Sequence, residues 1–143
     1  TTGVFTGGKS AIDFWAVDGD TINVYELKSD NPMVGIITEI FFYSNYVHDV
    51  FISKSLDHGK GSVEIEDGTY RSYDKIKGNK GKQVKGIMLS NSNRKGWHSS
   101  LGKPTRNEIK RIMNANGMFG AIQYEFLEYQ LNPLKIGGYY ISK

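Results

Sequence analysis

Two carboxylates and one lysine near the start of the chain have the residue types and spacing best suited to chemistry. Asp13 lies in the apolar and aromatic run Ile-Asp-Phe-Trp, where a carboxylate is costly unless a cation meets it. Glu26 and Lys28 are two residues apart in a segment rich in β-forming residues, so their side chains project from the same face of a strand. The three polar groups are candidates for one site if the chain brings the two segments together.

The length of a predicted hairpin turn decides whether they meet. Residues 11–17 and 21–28 flank Asp18-Gly19-Asp20, and Asp-Gly between two β-forming segments is typical of a hairpin turn. A turn of two or four residues places Asp13 opposite or diagonal to Glu26, with Lys28 on the same side of the ribbon. A three-residue turn places Asp13 on the other side and breaks the site.

Two carboxylates at such a distance favour a divalent cation. Their repulsion raises a pKa unless a cation lies between them, and a ligand set made only of oxygen atoms suits Mg²⁺ or Mn²⁺. Such an ion would polarise a phosphodiester and lower the pKa of a bound water, while Lys28 would orient that water or neutralise developing negative charge. The residues therefore indicate metal-dependent phosphodiester chemistry.

A helix is expected directly after the second strand. Asn31-Pro32 has the form of an N-cap followed by proline at the first helical position, and apolar residues recur at three- and four-residue spacing as far as Phe51. This pattern predicts a helix over residues 32–51. Glu39 and Tyr43 lie one turn apart within it and share a face.

These segments together resemble the PD-(D/E)xK nuclease superfamily. The resemblance rests on Ser10-Ala-Ile-Asp13, then Val24-Tyr-Glu26-Leu-Lys28, then Glu39-x-x-x-Tyr43 on the following helix, in the family's order and at its separations. It implies a restriction-endonuclease-like α/β fold, with a central mixed sheet flanked by helices. It also implies hydrolysis of nucleic-acid phosphodiesters with Mg²⁺ or Mn²⁺, with DNA favoured over RNA.

The resemblance assigns a role to each matching residue. Asp13 and Glu26 would be metal ligands, with the Leu27 carbonyl as a further ligand, and Lys28 would be the catalytic lysine. Glu39 and Tyr43 would support the site or contact the nucleic acid. The family's usual helix before the first strands has no counterpart in this sequence. We therefore expect either a piece of a longer chain or a replacement of that helix, and the sequence also leaves a homo-oligomer open.

The charge of the chain is divided along its length. The whole sequence of 143 residues carries a net charge of +3, yet residues 1–70 carry −7 and residues 71–111 carry +10. A basic stretch beside an acid-rich half suits a protein that binds a polyanion and a divalent cation. The lysines and arginines expected to support the site or contact nucleic acid are Lys9, Lys80, Lys82, Lys85, Arg94 and Lys95.

The remaining segments complete one domain over residues 1–143. A basic, loop-rich insertion is expected around residues 56–85, with a short strand at 62–65, followed by a strand at Val84 to Ser90. Thr105-Arg-Asn-Glu108 has the form of a capping box and predicts a second helix ending at Asn116-Gly117. Residues 119–131 and 136–141 flank Asn132-Pro133 and predict a closing hairpin.

Composition excludes several classes of protein. The chain has no cysteine, which removes thiolate chemistry, iron–sulfur clusters and cysteine-ligated zinc sites. Its longest apolar run is far shorter than the roughly 20 residues of a membrane-spanning helix. A cytoplasmic protein without membrane partners is expected.

Two other functions fit parts of the sequence. The first is a non-catalytic nucleic-acid-binding module that retains the nuclease fold. The second is a nucleotide-binding protein, because residues 3–10 fit the phosphate-loop formula G-x-x-x-x-G-K-S. That loop requires a preceding strand and a following helix, whereas only two residues precede it here and an apolar strand is predicted to follow.

Overall fold

The computed structural model describes residues 12–30, 32–55, 82–115, 122–131 and 134–140. Within them the chain forms six strands, two α-helices and one π-helical turn. In chain order these are β1 (Phe14–Asp18), β2 (Thr21–Lys28), α1 (Ile36–Val47), the π-helical turn (His48–Ile52), β3 (Gln83–Asn91), α2 (Lys103–Ala115), β4 (Ile122–Gln130), β5 (Lys135–Ile136) and β6 (Tyr139–Tyr140). Neither described helix has the length and apolar composition to cross a bilayer.

The six strands form one mixed sheet in sequence order. β1 pairs with β2 in antiparallel orientation, β2, β3 and β4 are parallel, and β4, β5 and β6 are antiparallel. Parallel neighbours need a crossover connection, and α1 lies in the connection from β2 to β3 while α2 lies in that from β3 to β4. The α/β class and the mixed sheet expected from the sequence are confirmed.

The first hairpin has a two-residue turn. Asp18 pairs with Thr21, which leaves Gly19 and Asp20 as the central residues. Gly19 has a φ of +58°, as the first central residue of a type II′ turn requires. Of the turn lengths considered from the sequence, the structure therefore has the one that sets Asp13 across from Glu26.

The main core lies between α1 and one face of the sheet. Ile22 and Val24 of β2 pack there with Ile36 and Ile40 of α1, and all four are buried. Gly86 of β3 allows the close approach of helix and sheet. A Cβ at this position would lie 2.5 Å from the Ser44 hydroxyl and 2.9 Å from the Tyr124 ring. The distance between α1 and the sheet is therefore set by a residue without a side chain.

The opposite face of the sheet holds a smaller apolar cluster. Ile87 and Leu89 of β3 are buried there with Tyr129 of β4. Phe14 stacks on Tyr25 across the first hairpin, with ring centroids 4.3 Å apart. β3 is thus apolar on both faces, as expected of a parallel strand at the centre of a sheet.

The first helix begins four residues later than the sequence predicted. The α-helix starts at Ile36, with Gly35 at the N-cap, and the Gly35 carbonyl accepts the Glu39 amide at 3.0 Å. The predicted start at Pro32 was wrong because Met33 and Val34 are exposed, and the packed face of the helix begins only at the buried Ile36. At its other end α1 continues into the π-helical turn, so the helical segment ends close to the predicted boundary.

The second helix begins at Lys103, before the predicted capping box. Pro104 occupies its first turn, where the missing N–H of proline costs no hydrogen bond. The Arg106 amide already donates to the Gly102 carbonyl at 3.0 Å, so Thr105 lies inside the helix and does not cap it. Near the end of α2, the Asn114 side chain donates to the Tyr124 carbonyl at 3.1 Å and accepts from the Tyr124 amide at 2.8 Å. Asn114 thereby satisfies the backbone of β4 as a neighbouring strand would.

The closing hairpin is present in a modified form. β4 pairs with β5 through Tyr129 with Ile136 and Gln130 with Lys135, so the predicted antiparallel return is confirmed. A further tight turn at Gly137-Gly138 then adds β6. The predicted short strand at 62–65 and the phosphate-loop formula at 3–10 lie outside the described residues, as does the insertion around 56–85 except for its last residues, which enter β3.

Candidate active site

The hairpin register places Asp13 at the β1 side of Glu26. Phe14 pairs with Tyr25, so Asp13, one residue before β1, is level with Glu26. The Asp13 side chain is exposed, and its Oδ2 accepts the backbone N–H of Leu27 at 2.7 Å. Where the backbone pairing of β1 ends, the carboxylate of Asp13 takes over as the hydrogen-bond acceptor for β2. This contact fixes a negative charge beside Glu26.

Glu26 is the buried acid of the site. It follows Ile22 and Val24 on the face of β2 that α1 covers, and it is only 5% exposed. Burial raises its pKa from 4.5 to about 7, against the hydrogen bond from Lys28, which lowers it, while the nearby carboxylates of Glu39 and Asp13 raise it. Glu26 therefore changes protonation near neutral pH.

Lys28 lies between two glutamates from different elements. Its Nζ donates to Glu26 Oε1 at 2.9 Å and to Glu39 Oε2 at 2.6 Å. Burial lowers the pKa of Lys28, but the hydrogen bonds and negative charges of Glu39 and Glu26 outweigh burial and raise the pKa above its usual value. The lysine is consequently held charged, and it ties β2 to α1.

The two predicted helix residues have different surroundings. Glu39 lies in the first turn of α1 with its side chain 44% exposed, and its carboxylate reaches Lys28. Tyr43, one turn later, is 8% exposed and belongs to the main core, where its ring meets Phe42 edge-on with centroids 5.7 Å apart. The structure therefore brings Glu39 into the candidate site and places Tyr43 in the packing beneath α1.

The donor set of the site suits an oxygen-preferring cation. The candidate ligands are the Asp13 and Glu26 carboxylates and the Leu27 carbonyl, all of which are the hard oxygen donors that Mg²⁺ and Mn²⁺ prefer. The raised pKa of Glu26 shows that its negative charge is poorly compensated by Lys28 alone, and a cation would relieve this. Among the described residues no group of three or more His, Asp or Glu side chains is arranged to hold a metal ion. Among the described residues, Asp13 and Glu26 are the candidate acidic ligands.

The predicted nucleic-acid contacts fall at opposite ends of β3. Arg94 and Lys95 follow the strand end at which Lys28 pairs with Ser90, and Arg94 lies 3.6 Å from Asp30. Lys82 and Lys85 lie at the other end of β3, where the Lys85 ammonium is 3.7 Å from Glu125. Ser90 is five positions after Lys85, which is about 16 Å along a strand. Only the first group is near the candidate site; Lys9 and Lys80 lie outside the described residues.

No match was found when the chain was compared with protein-family models, with curated proteins and with solved structures. The assignment of a function therefore depends on the geometry of these residues.

One polar residue beside the site was missed from the sequence. Ser90 is the cross-strand neighbour of Lys28, and it is buried on the face of the sheet that holds Glu26. The available signal was a hydroxyl at the end of the apolar run Ile-Met-Leu, in a segment that the sequence already predicted to be a strand. A polar residue that ends a buried strand lies at the edge of the sheet where sites are usually built.

Proposed function

We propose that this chain is a metal-dependent nuclease of the PD-(D/E)xK type, with a restriction-endonuclease-like fold, that hydrolyses the phosphodiester bonds of DNA in preference to RNA. The observation that carries the proposal is the position of Lys28 between Glu26 and Glu39, at 2.9 and 2.6 Å, with the Asp13 carboxylate fixed at the neighbouring strand. A lone Glu-x-Lys on a strand is common on solvated faces. Here the glutamate is buried, and the lysine is shared with the helix residue that the resemblance independently singles out.

Asp13, Glu26 and the Leu27 carbonyl would hold the Mg²⁺ or Mn²⁺ ion. When bound, the ion would polarise the scissile phosphodiester and lower the pKa of a bound water. The geometry supports this donor set because the N–H and C=O of one strand residue point to the same side. Since the Leu27 N–H meets Asp13 at 2.7 Å, the Leu27 carbonyl points toward the same side. The three donors therefore lie on two adjacent backbone segments, with Asp13 level with Glu26.

Lys28 would stabilise negative charge on the phosphate in the transition state. The ammonium is held charged by two carboxylates, so it is available as a cation across the physiological pH range. Glu39 keeps the ammonium in place from the opposite side, on an element separate from the metal ligands. The site thus combines an acidic pair for the ion with a fixed cation for the phosphate.

The surface beside the site suits a nucleic-acid backbone. Residues 82–107 include six lysines and arginines and no Asp or Glu. The loop that follows β3 presents Arg94 and Lys95 to solvent, and it is fixed by hydrogen bonds from the Ser92 amide to the Tyr129 carbonyl at 2.9 Å and from the Gly96 amide to the Asn91 carbonyl at 3.2 Å. Ordered cations beside the acidic pair would guide a phosphate chain to it, with an affinity that falls as salt rises.

Cleavage of plasmid and single-stranded DNA in Mg²⁺ or Mn²⁺ tests the proposal. We expect wild-type protein to cut, and we expect Glu26→Ala and Lys28→Ala each to abolish cutting. Glu125→Ala and Lys135→Ala are the matched controls, because they remove the same charges from β4 and β5. Cutting that survives both site substitutions, or never appears in wild type, overturns the proposal.

A non-catalytic nucleic-acid-binding module is the second candidate. It is favoured by the position of Lys28, whose ammonium already donates to Oε1 of the Glu26 carboxylate that would bind the ion. The same assay separates the two functions when DNA retention is measured alongside cleavage. Wild-type protein that retards DNA in a gel without cutting it in either metal supports the module, and metal-dependent cutting excludes it.

A further inference from the structure

Ser90 has a buried hydroxyl that the fold does not use. The residue is 1% exposed, and within the described part of the chain its Oγ has no hydrogen-bond partner. Buried polar groups are nearly always paired, and an unpaired one destabilises the folded protein. Ser90 therefore requires an explanation other than packing.

The position of Ser90 indicates its partner. Lys28 is its cross-strand neighbour on β2, and both side chains project from the face of the sheet that bears Glu26. Adjacent strands lie about 4.8 Å apart, which the four-carbon stem of a lysine can span. An ammonium has three N–H donors, and Lys28 uses two of them, on Glu26 and Glu39. A donor and an acceptor, neither engaged with the other, thus lie on neighbouring strands.

We propose that Ser90 is a positioning residue that accepts a hydrogen bond from the Lys28 ammonium once a cation or a substrate takes the Glu26 carboxylate. The inference rests on the proposed function, because that function is what would withdraw Glu26 from Lys28. Without a substitute acceptor, the ammonium would be held by Glu39 alone, whose side chain is 44% exposed. With Ser90 and Glu39 as partners, it stays on the face of the sheet, where a phosphate would be bound.

A second unpaired hydroxyl provides a matched control. Ser44 of α1 is fully buried, and it too has no hydrogen-bond partner within the described residues. It faces Gly86 of β3, which is four residues along the strand from Ser90, the partner of Lys28. Ser44→Ala therefore measures how the loss of an unpaired buried hydroxyl changes stability in the same core.

Thermal unfolding of metal-free protein tests the inference through a double-mutant cycle. In wild type we expect Ser90→Ala to raise Tm, because it removes an unpaired polar group. In a Glu26→Met background, where Lys28 has lost its strand partner, we expect Ser90→Ala to lower Tm and Ser90→Thr, which keeps the hydroxyl, to restore it. Ser44→Ala should shift Tm equally in both backgrounds.

Removing Lys28 tests whether the effect of Ser90→Ala depends on the lysine ammonium. In a Glu26→Met, Lys28→Met background the loss caused by Ser90→Ala should disappear. If Glu26→Met fails to fold, Glu26→Gln can replace it, because the amide weakens the ion pair with Lys28 and keeps the size of the side chain. In that background we expect Ser90→Ala to lower Tm as well, but by less. The control Ser44→Ala is expected to change Tm equally in every background. If Ser90→Ala also changes Tm equally in every background, the inference is overturned. The cycle needs neither metal nor DNA, so its outcome is independent of the cleavage assay.

Discussion

The titration of Glu26 gives a quantitative prediction about stability. The pKa of this carboxyl rises from 4.5 to about 7, first because it is buried, and the ionised form is therefore disfavoured in the folded chain. Each tenfold change in proton affinity corresponds to 1.36 kcal/mol, so ionised Glu26 lowers the free energy of unfolding by about 3 kcal/mol. Because the folded pKa is raised, this stability is fully present below about pH 4.5 and is lost as the pH rises through 7.

Urea unfolding of wild type and Glu26→Gln over about pH 5 to 8.5 measures this effect. The amide cannot ionise, so the difference between the two free energies of unfolding isolates Glu26 from other titrating groups. We expect wild type to lose about 2–3 kcal/mol relative to the variant across this range, since a part of the full effect is already lost at pH 5. Glu108→Gln is the control. Arg111 holds the pKa of Glu108 below its usual value, so Glu108 contributes no slope in this range. A flat difference for Glu26→Gln would refute the argument that its charge is buried and poorly compensated.

The packing at Gly86, the backbone contacts of Asn114 and the surface cations Arg94 and Lys95 can each be tested by substitution. Gly86→Ala brings a Cβ to 2.9 Å from the Tyr124 ring, and we expect a loss of about 1–3 kcal/mol in urea unfolding, as for other overpacked cores. Asn114→Ala leaves both backbone groups of Tyr124 without their partner, and we expect a loss of about 1–3 kcal/mol by the same method. Replacing Arg94 and Lys95 together by alanine should weaken the binding of single-stranded DNA in fluorescence anisotropy, and should reduce the slope of log affinity against log salt by about 1.5.

Unchanged stability of Gly86→Ala would mean that α1 does not approach the sheet as closely as described. Asn114→Asp keeps an acceptor but loses the donor, so it should retain part of the stability that alanine removes. For the surface pair, Lys82 and Lys85 replaced together are the comparison at the far end of β3. An equal loss of affinity in the two double variants would contradict a binding surface localised beside the site.

Much of the candidate site could be predicted because its geometry is local. The alternation of Glu26 and Lys28 follows from the two-residue period of a strand, and their relation to Asp13 follows from the length of one turn. The sequence restricted that turn to a few lengths, each with a defined consequence, and the structure contains the two-residue form. No packing between distant segments is needed for this part of the argument.

The partner of Lys28 was not predictable in the same way. Glu39 was expected to support the site, but its direct ion pair with Lys28 depends on how α1 crosses β2. That crossing is set by contacts between residues far apart in the sequence, such as the approach of Ser44 to Gly86. The spacing of Glu39 and Tyr43 in the sequence placed both on one helix face. Only the packing of α1 on the sheet determines that the Glu39 carboxylate is partly exposed and that the Tyr43 ring is buried.

The division of the basic stretch was also beyond the sequence. A net charge of +10 over residues 71–111 predicts contact with a polyanion, but it does not say which cations lie near the carboxylates. β3 runs through this stretch, so Lys85 and Arg94 fall near opposite ends of one strand. The unpaired hydroxyl of Ser90 is invisible in sequence for a similar reason, because hydrogen-bond satisfaction depends on neighbours from other strands.

Isothermal titration of Mn²⁺ into the protein tests most directly the central claim that Asp13 and Glu26 form one divalent-cation site beside Lys28. We expect saturable binding at about pH 8 that is weakened about tenfold or more by Asp13→Ala and by Glu26→Ala, and that is unchanged by Glu108→Ala. We also expect weaker binding at about pH 5.5, where Glu26 is mostly protonated. Equal binding in all four proteins, or none in wild type, would contradict the claim.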